Sequence, residues 1–277
     1  MNTSKKNILI IGASNVGKTH FGGQLYGRLD EQTCSLKLRE QPESLSVFKE
    51  VWEKLNNGLL GAHTPSNQNT KIVFPIEDAN GNNIDIVYPD YAGEQILQIV
   101  KQRHINPQWV ELIKNSDDWI LFIRPYLIDP IVDVTTKFYD HIGVDNEEEI
   151  KTQNQSIEIK DSNPIFFIEL LQMFLFIKGV GSSNNNKTHL TILLSCYDEI
   201  DKQLPKKYFQ EKMPMLYNFI NTVWKDNFNI YGLSSLGQSL TNDKPDEEFA
   251  IDGPENRGYF IREDNLEEIG DITQIFS

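Results

Sequence analysis

Cysteine is scarce in this chain of 277 residues. Cys34 and Cys196 are the only two, and no C-x-x-C pair occurs. A disulfide framework is excluded, and a reducing, cytoplasmic setting is the expectation. Basic charge is also short. Lys and Arg number 26 against 40 Asp and Glu, a net charge of −14. A field of that sign disfavours nucleic acid and anionic membrane surfaces as partners, while leaving room for a local basic pocket that takes a small polyanion. Long apolar runs are missing too. The longest, Ile165–Ile177 (IFFIELLQMFLFI), is broken by Glu169 and Gln172. It falls short of the about 20 residues that span a bilayer and reads as a buried helix. The start, MNTSKKNILIIG, has too short an apolar core for a signal peptide and no small-residue cleavage site after it. The five histidines show no metal-ligand spacing, so zinc is not expected, and no nucleophile-elbow motif supports Ser-His-Asp chemistry.

What remains is the composition of a globular protein: 39% hydrophobic, 24% charged and 10% aromatic residues. The length fits a single α/β domain carrying insertions. Short apolar runs alternate with helical patterns. Asn7–Ile11, Trp119–Ile123, His189–Leu194 and Asn229–Leu233 read as strands, and Lys71–Ile76 with Ile84–Tyr88 as a hairpin turned at Asn80-Gly81. Thr19–Leu29 repeats Phe21, Leu25 and Leu29 at four-residue spacing, the mark of a helix face. Ser44–Asn57, Gln95–Arg103, Pro107–Asn115, Pro164–Lys178 and Pro205–Trp224 read as further helices. Gly58–Asn69 and Ser182–Lys187 are loops. The pattern predicts a mostly parallel mixed sheet with helices on both faces and one antiparallel edge strand. The expected organisation is one domain over 1–236, with an insertion at about 125–163, and a C-terminal extension over 237–277 that packs on it or trails from it.

Gly12–Thr19, GASNVGKT, matches G-x-x-x-x-G-K-[ST] in full, at the junction of a strand and a helix. Each position has a physical use. Gly12 and Gly17 let the backbone turn tightly and approach phosphate oxygens. The N–H groups of Asn15, Val16, Gly17, Lys18 and Thr19 point at a β-phosphate, aided by the helix N-terminus. The Lys18 ammonium reaches the β and γ oxygens, and the Thr19 hydroxyl is a ligand for Mg²⁺. His20 follows, near solvent or the α-phosphate region. Further on, the strand of IDIVYPDYAGE delivers Asp90 at its C-terminal end, where α/β sheets bind ligands. There a carboxylate can hold a water on Mg²⁺, and Gly93 can offer its N–H to a γ-phosphate. Asp198, in LLSCYDE, can accept both N1–H and N2–H of guanine, and the Ser234-Ser235 loop can donate an N–H to a base oxygen.

In this order, from Asn7 to Leu236, the motifs resemble the boxes of Ras-like P-loop GTPases. More narrowly, YPDYAGE, the run Arg103–Trp109, WILFIR and GYFIR…GDIT (Gly258–Thr273) resemble the bacterial double-GTPase families of conflict-system operons. The resemblance implies a P-loop GTPase domain that binds GTP and GDP with Mg²⁺, hydrolyses GTP, and switches protein partners, with a role in bacterial conflict or defence. It assigns the phosphate lysine to Lys18, the Mg²⁺ ligands to Thr19 and a switch threonine, the metal-water carboxylate to Asp90, the γ-phosphate glycine to Gly93, the guanine reader to Asp198 and the base-loop N–H to Ser235. The chain departs from the Ras-like pattern in three places. Glu94 stands where a water-positioning glutamine is usual, with Gln95 beside it. The N-K-x-D box is Ser195-Cys196-Tyr197-Asp198, without its asparagine and stacking lysine. The switch threonine is Thr64 by the narrower likeness, or Thr70 by spacing to Asp90, with Thr64 preferred. Arg103 and Arg124 are candidates for an internal cation that stabilises the transition state, or for structural ion pairs. An ATPase or kinase on the same P-loop, and a nucleotide-bound interaction module with little turnover, stand as alternatives.

Overall fold

The computed structural model describes residues 5–61, 71–89, 93–128, 163–180 and 186–276. Among them nine strands, β1 (Lys6–Ile11), β2 (Lys37–Leu38), β3 (Ile72–Glu77), β4 (Asn83–Tyr88), β5 (Asp118–Ile123), β6 (His189–Ser195), β7 (Phe228–Ser234), β8 (Tyr259–Ile261) and β9 (Glu268–Ile269), form one sheet in the order β2-β3-β4-β1-β5-β6-β7-β8-β9. Its centre is β4 (Asn83–Tyr88), β1 (Lys6–Ile11), β5 (Asp118–Ile123), β6 (His189–Ser195) and β7 (Phe228–Ser234), all parallel. Parallel strands require crossovers, and helices fill them on both faces. Side chains alternate accordingly. Ile8, Ile10, Ile120 and Phe122 enter one core, while Leu9, Ile11, Leu121 and Ile123 enter the other. This explains why these strands read as continuous apolar runs.

The first core lies under α1 (Lys18–Asp30) and α2 (Ser46–Asn56). The two helices pack very closely, because α1 presents glycines to α2. A Cβ at Gly22 would overlap the Phe48 ring, and one at Gly27 would overlap the Trp52 indole. The second core lies under α3 (Glu94–Gln102), α4 (Pro107–Asn115), α5 (Pro164–Lys178), α6 (Pro205–Lys212) and α7 (Pro214–Trp224). Caps fix several of these helices. Asn106 Oδ1 accepts from Trp109 N at 2.9 Å, and Asn163 Oδ1 accepts from Ile165 N at 2.9 Å, each ahead of a first-turn proline. The apolar α5 is buried through Phe166, Phe167, Leu170 and Phe174. No helix among the described residues is long and apolar enough to cross a membrane.

The structure corrects the sequence reading at three points. Antiparallel pairing flanks the parallel centre on both sides, and the hairpin strand β3 (Ile72–Glu77) is not the edge. β2 (Lys37–Leu38) pairs outside it. Pro205–Trp224 is two helices, since Pro214 cannot continue α6 and Met213 leaves the helical region at φ −132°. The tail, which has little periodicity, folds into α8 (Glu247–Asp252), β8 (Tyr259–Ile261) and β9 (Glu268–Ile269). β8 pairs antiparallel with β7, and Phe249, Phe260, Ile272, Ile275 and Phe276 fill the first core. Two buried polar residues of α1 bind this segment. Gln24 Nε2 donates to Pro254 O at 2.8 Å, and Arg28 Nη2 donates to Glu255 O at 2.6 Å. Of the expected insertion at about 125–163, residues 129–162 lie outside the described residues.

Candidate functional site

The C-terminal ends of the parallel strands open on a cleft of about 810 Å³. Ser14–His20 form its floor. Glu94, Arg124, Ser195, Cys196, Asp198, Glu199 and Ser235 line it, together with Leu60, Gly61 and the 236–240 segment. Ligands of open α/β sheets bind at such ends.

The floor is the turn from β1 into α1. Its sharpness needs two left-handed residues, Asn15 at φ 61° and Gly17 at φ 84°. At Gly12 there is no room for a side chain. A Cβ would lie 2.9 Å from Val16 Cγ2 and 3.0 Å from Phe122 Cβ. The residue that caps α1 is Gly17, which has no side chain to occupy the helix N-terminus. Lys18 is 4% exposed. Its ammonium donates to Gly12 O and Ala13 O, both at 2.6 Å, which holds the charge over the loop. Gly93 comes down on the same point. It is left-handed at φ 82°, and a Cβ there would lie 2.5 Å from Ala13 O and 2.6 Å from Lys18 Nζ.

Glu94 follows as the first residue of α3 and lines the cleft, exposed. Gln95 is turned into the fold. Its Oε1 accepts from Trp109 Nε1 at 2.7 Å, and it is not part of the cleft lining. Arg103 is also absent from the lining and pairs with Glu169 at 2.7 Å. Val16, Thr19 and His20 lie in the lining as the motif places them. Thr64, Thr70 and Asp90 lie outside the described residues. Among the described residues, no cluster of three or more His, Cys, Asp or Glu side chains is arranged to hold a metal.

The ends of β6 and β7 build the other part of the cleft. Ser195 is buried, and its Oγ donates to Ile123 O at 3.3 Å. It packs beneath the P-loop, with its Cβ 3.7 Å from where a Gly17 Cβ would stand. Cys196 is left-handed at φ 51°, and burial pushes its thiol up to about 11. Tyr197 is buried, with its hydroxyl donating to Gln203 O at 3.0 Å. This strand end therefore turns Asp198 toward the cleft. Asp198 Oδ1 accepts from the Ser234 hydroxyl, and Ser234 Oγ in turn accepts from Gly237 N at 2.9 Å. Ser234 is the residue that sequence reasoning undervalued. It selected Ser235, which lines the cleft, while the buried Ser234 restrains Asp198. Glu199 was missed as well. It forms a bidentate pair with Arg124, whose Nη1 donates to Asn15 O at 3.4 Å. Neither partnership leaves a local signal, since each joins residues at the ends of different strands.

A profile of the double-GTPase 1 family matches residues 9–276. The chain belongs to the double-GTPase 1 family. Membership supports guanine-nucleotide binding and a GTPase switch for this double-GTPase chain. No curated protein matches it. Among solved structures, the Ski7 GTPase-like domain of S. cerevisiae bound to GTP is 16% identical with a TM-score of 0.36. That match covers 88% of this chain, which spans 46% of the Ski7 chain. The signal recognition particle receptor SRb-GTP/SRX complex of Chaetomium thermophilum is 11% identical with a TM-score of 0.42, covering 91% and 98% of the two chains. The small GTPase Arl6 of Trypanosoma brucei, with bound GppNp, is 11% identical with a TM-score of 0.35 over 83% and 87%.

Proposed function

We propose that the cleft binds GTP, with its phosphates on the Gly12–Thr19 loop and its base at Asp198, and that the protein hydrolyses GTP to GDP and phosphate with Mg²⁺ as a nucleotide-dependent switch. The observation that carries this reading is the meeting of Gly93 with Lys18 over Ala13, in a cleft that also holds Asp198. A γ-phosphate sensor against a phosphate lysine has a use only where a triphosphate ends.

In this reading the N–H groups of Asn15 to Thr19 hold the β-phosphate, and the Lys18 ammonium leaves the loop carbonyls for the β and γ oxygens. The Thr19 hydroxyl, a hard oxygen donor in the cleft lining, fits Mg²⁺, with Thr64 and Asp90 proposed beside it. The metal, when bound, adds positive charge where the leaving and transferred oxygens carry negative charge. Water attacks the γ-phosphorus, and Lys18 with the loop N–H groups stabilises the charge that develops. Gln95 is engaged by Trp109, so orienting the water falls to Glu94. A carboxylate there repels the γ-phosphate, which supports slow turnover unless a partner intervenes. GTP orders the Thr64 loop and the Asp90–Gln95 segment, and protein partners read that change. A role in bacterial conflict or defence is part of this proposal and rests on the motif resemblance of YPDYAGE, WILFIR and Gly258–Thr273 alone.

The test is thermal stability of the purified protein with GTP or ATP in Mg²⁺, with Lys18→Ala as control. At about a hundred times Kd, GTP adds about 2.7 kcal/mol, and the variant loses it. An equal or larger shift with ATP overturns the guanine reading. The charge on Glu94 favours a second reading, a GTP-bound interaction module. Tight GTP binding without phosphate release selects it.

A further inference from the structure

Asp198 ends a box that carries no cation. Ser195 and Tyr197 are uncharged, and the half-buried Cys196 thiol is held neutral. A positive charge nevertheless stands beside this box, supplied by the neighbouring strand. β5 and β6 are parallel with Ile123 opposite Leu194, so the next residue of β5, Arg124, emerges level with Ser195 and Cys196. Two groups fix its guanidinium. Glu199, one residue past Asp198, takes Nε and Nη2 in a bidentate pair. The P-loop carbonyl of Asn15 accepts from Nη1 at 3.4 Å. The pairing with Glu199 raises the guanidinium pKa above its usual value, ahead of an opposing effect of burial. Among the described residues, Asn15, Cys196, Asp198 and Glu199 interact with this charge, whereas Gly93 meets Lys18 and Ala13.

We infer that Arg124 is a base-positioning residue: from β5 it supplies the cation that the Ser195–Asp198 box lacks and holds the purine of the bound nucleotide by stacking, rather than reaching the γ-phosphate. The inference rests on the nucleotide-binding reading above. Its chemistry follows from the planar guanidinium. A guanidinium that donates in its plane, as Arg124 does to Glu199 and Asn15, can still stack an aromatic ring on a face. Arg124 also ties the P-loop to the base loop, since one side chain bonds Asn15 O and Glu199 together. A lysine, with no plane and no fork, replaces these functions only in part.

The experiment compares wild type, Arg124→Ala, Arg124→Lys and Glu199→Gln by calorimetric titration with GDP, GTP and inorganic tripolyphosphate. Hydrolysis at saturating GTP and melting of the nucleotide-free proteins are measured alongside. Arg124→Ala is expected to weaken GDP and GTP alike by about tenfold, several times more than tripolyphosphate, which has no base. Arg124→Lys recovers only part of the loss. Glu199→Gln, which keeps the fold in place while loosening the fork, weakens GDP in the same direction by a smaller factor. GDP affinity intact with turnover at saturating GTP lost overturns the inference and returns Arg124 to the γ-phosphate. Equal losses for tripolyphosphate and GDP, or a lower melting temperature with no change in affinity, also overturn it and leave a structural ion pair. If wild type binds neither GDP nor GTP, the nucleotide reading itself fails, and that outcome is separate because it appears before any variant is made.

Discussion

Gly93 stands directly over Lys18: a Cβ at Gly93 would lie 2.6 Å from the ammonium nitrogen and 2.5 Å from the Ala13 carbonyl oxygen that binds it. Gly93 therefore packs on the P-loop against the Ala13 backbone and the Lys18 ammonium. Gly93→Ala meets both this contact and the left-handed φ of 82°. The expected cost is about 1–3 kcal/mol of stability in the nucleotide-free protein, read by urea unfolding. If the Gly93 N–H serves the γ-phosphate as proposed, GTP affinity falls further than GDP affinity. Equal losses for the two nucleotides count against that role.

Asp198 and Ser234 form a unit. Removing the hydroxyl by Ser234→Ala deletes a hydrogen bond to a carboxylate, worth about 1.5–3 kcal/mol, and frees Asp198 to rotate. GDP affinity is expected to fall by about tenfold, with ATP binding no better than before. Asp198→Asn goes further. An amide both donates and accepts, so it matches a base with a carbonyl in place of the N2 amine. That variant loses GDP and gains xanthosine diphosphate in competition titrations. Retained guanine preference in the variant rules Asp198 out as the reader.

Phe260 belongs to β8 and packs on Tyr231 with ring centroids 5.5 Å apart. It is 1% exposed. Phe260→Ala is expected to cost about 3–5 kcal/mol, as a cavity in the main core does, measured by chemical denaturation. A loss below about 1 kcal/mol would show the 237–277 segment to be a loosely attached appendage.

The Cys196 thiol provides a pH test. Burial raises it from the ordinary value of 9.0 to about 11, so the folded state prefers the neutral thiol. Its contribution is fully present below pH 9, where both states hold the proton. It is lost as pH rises from 9 to 11, where the unfolded chain gives up its proton first. The difference amounts to about 2–3 kcal/mol. Cys196→Ser has nothing to titrate in that window. Its unfolding free energy is expected to fall less steeply from pH 9 to 11 than that of wild type, and parallel curves would contradict the assigned burial.

The P-loop was legible because its chemistry is local. Eight consecutive residues, Gly12–Thr19, carry the turn, the N–H cradle, the ammonium and the hydroxyl, and the flanking strand and helix announce themselves by apolar spacing. The five parallel strands were legible for a related reason: burial on both faces leaves an unbroken apolar run. β2, β8 and β9 have two or three residues each, too few for a period, and a tail of low periodicity does not reveal that Phe249, Phe260 and Ile275 complete a core built by α1 and α2.

By itself, then, the sequence determined the class of fold and the Gly12–Thr19 floor of the cleft, since both are written in the local order and spacing of residues. Tertiary structure alone decided how the other end is built. Which serine restrains Asp198, why Gln95 turns away to Trp109, and where the charge of Arg124 is held are questions of strand register and crossover. Arg124 and Glu199 are separated by 75 residues and meet only because β5 and β6 lie side by side. A pair that the backbone assembles across two strands has no period, no spacing and no motif to read beforehand.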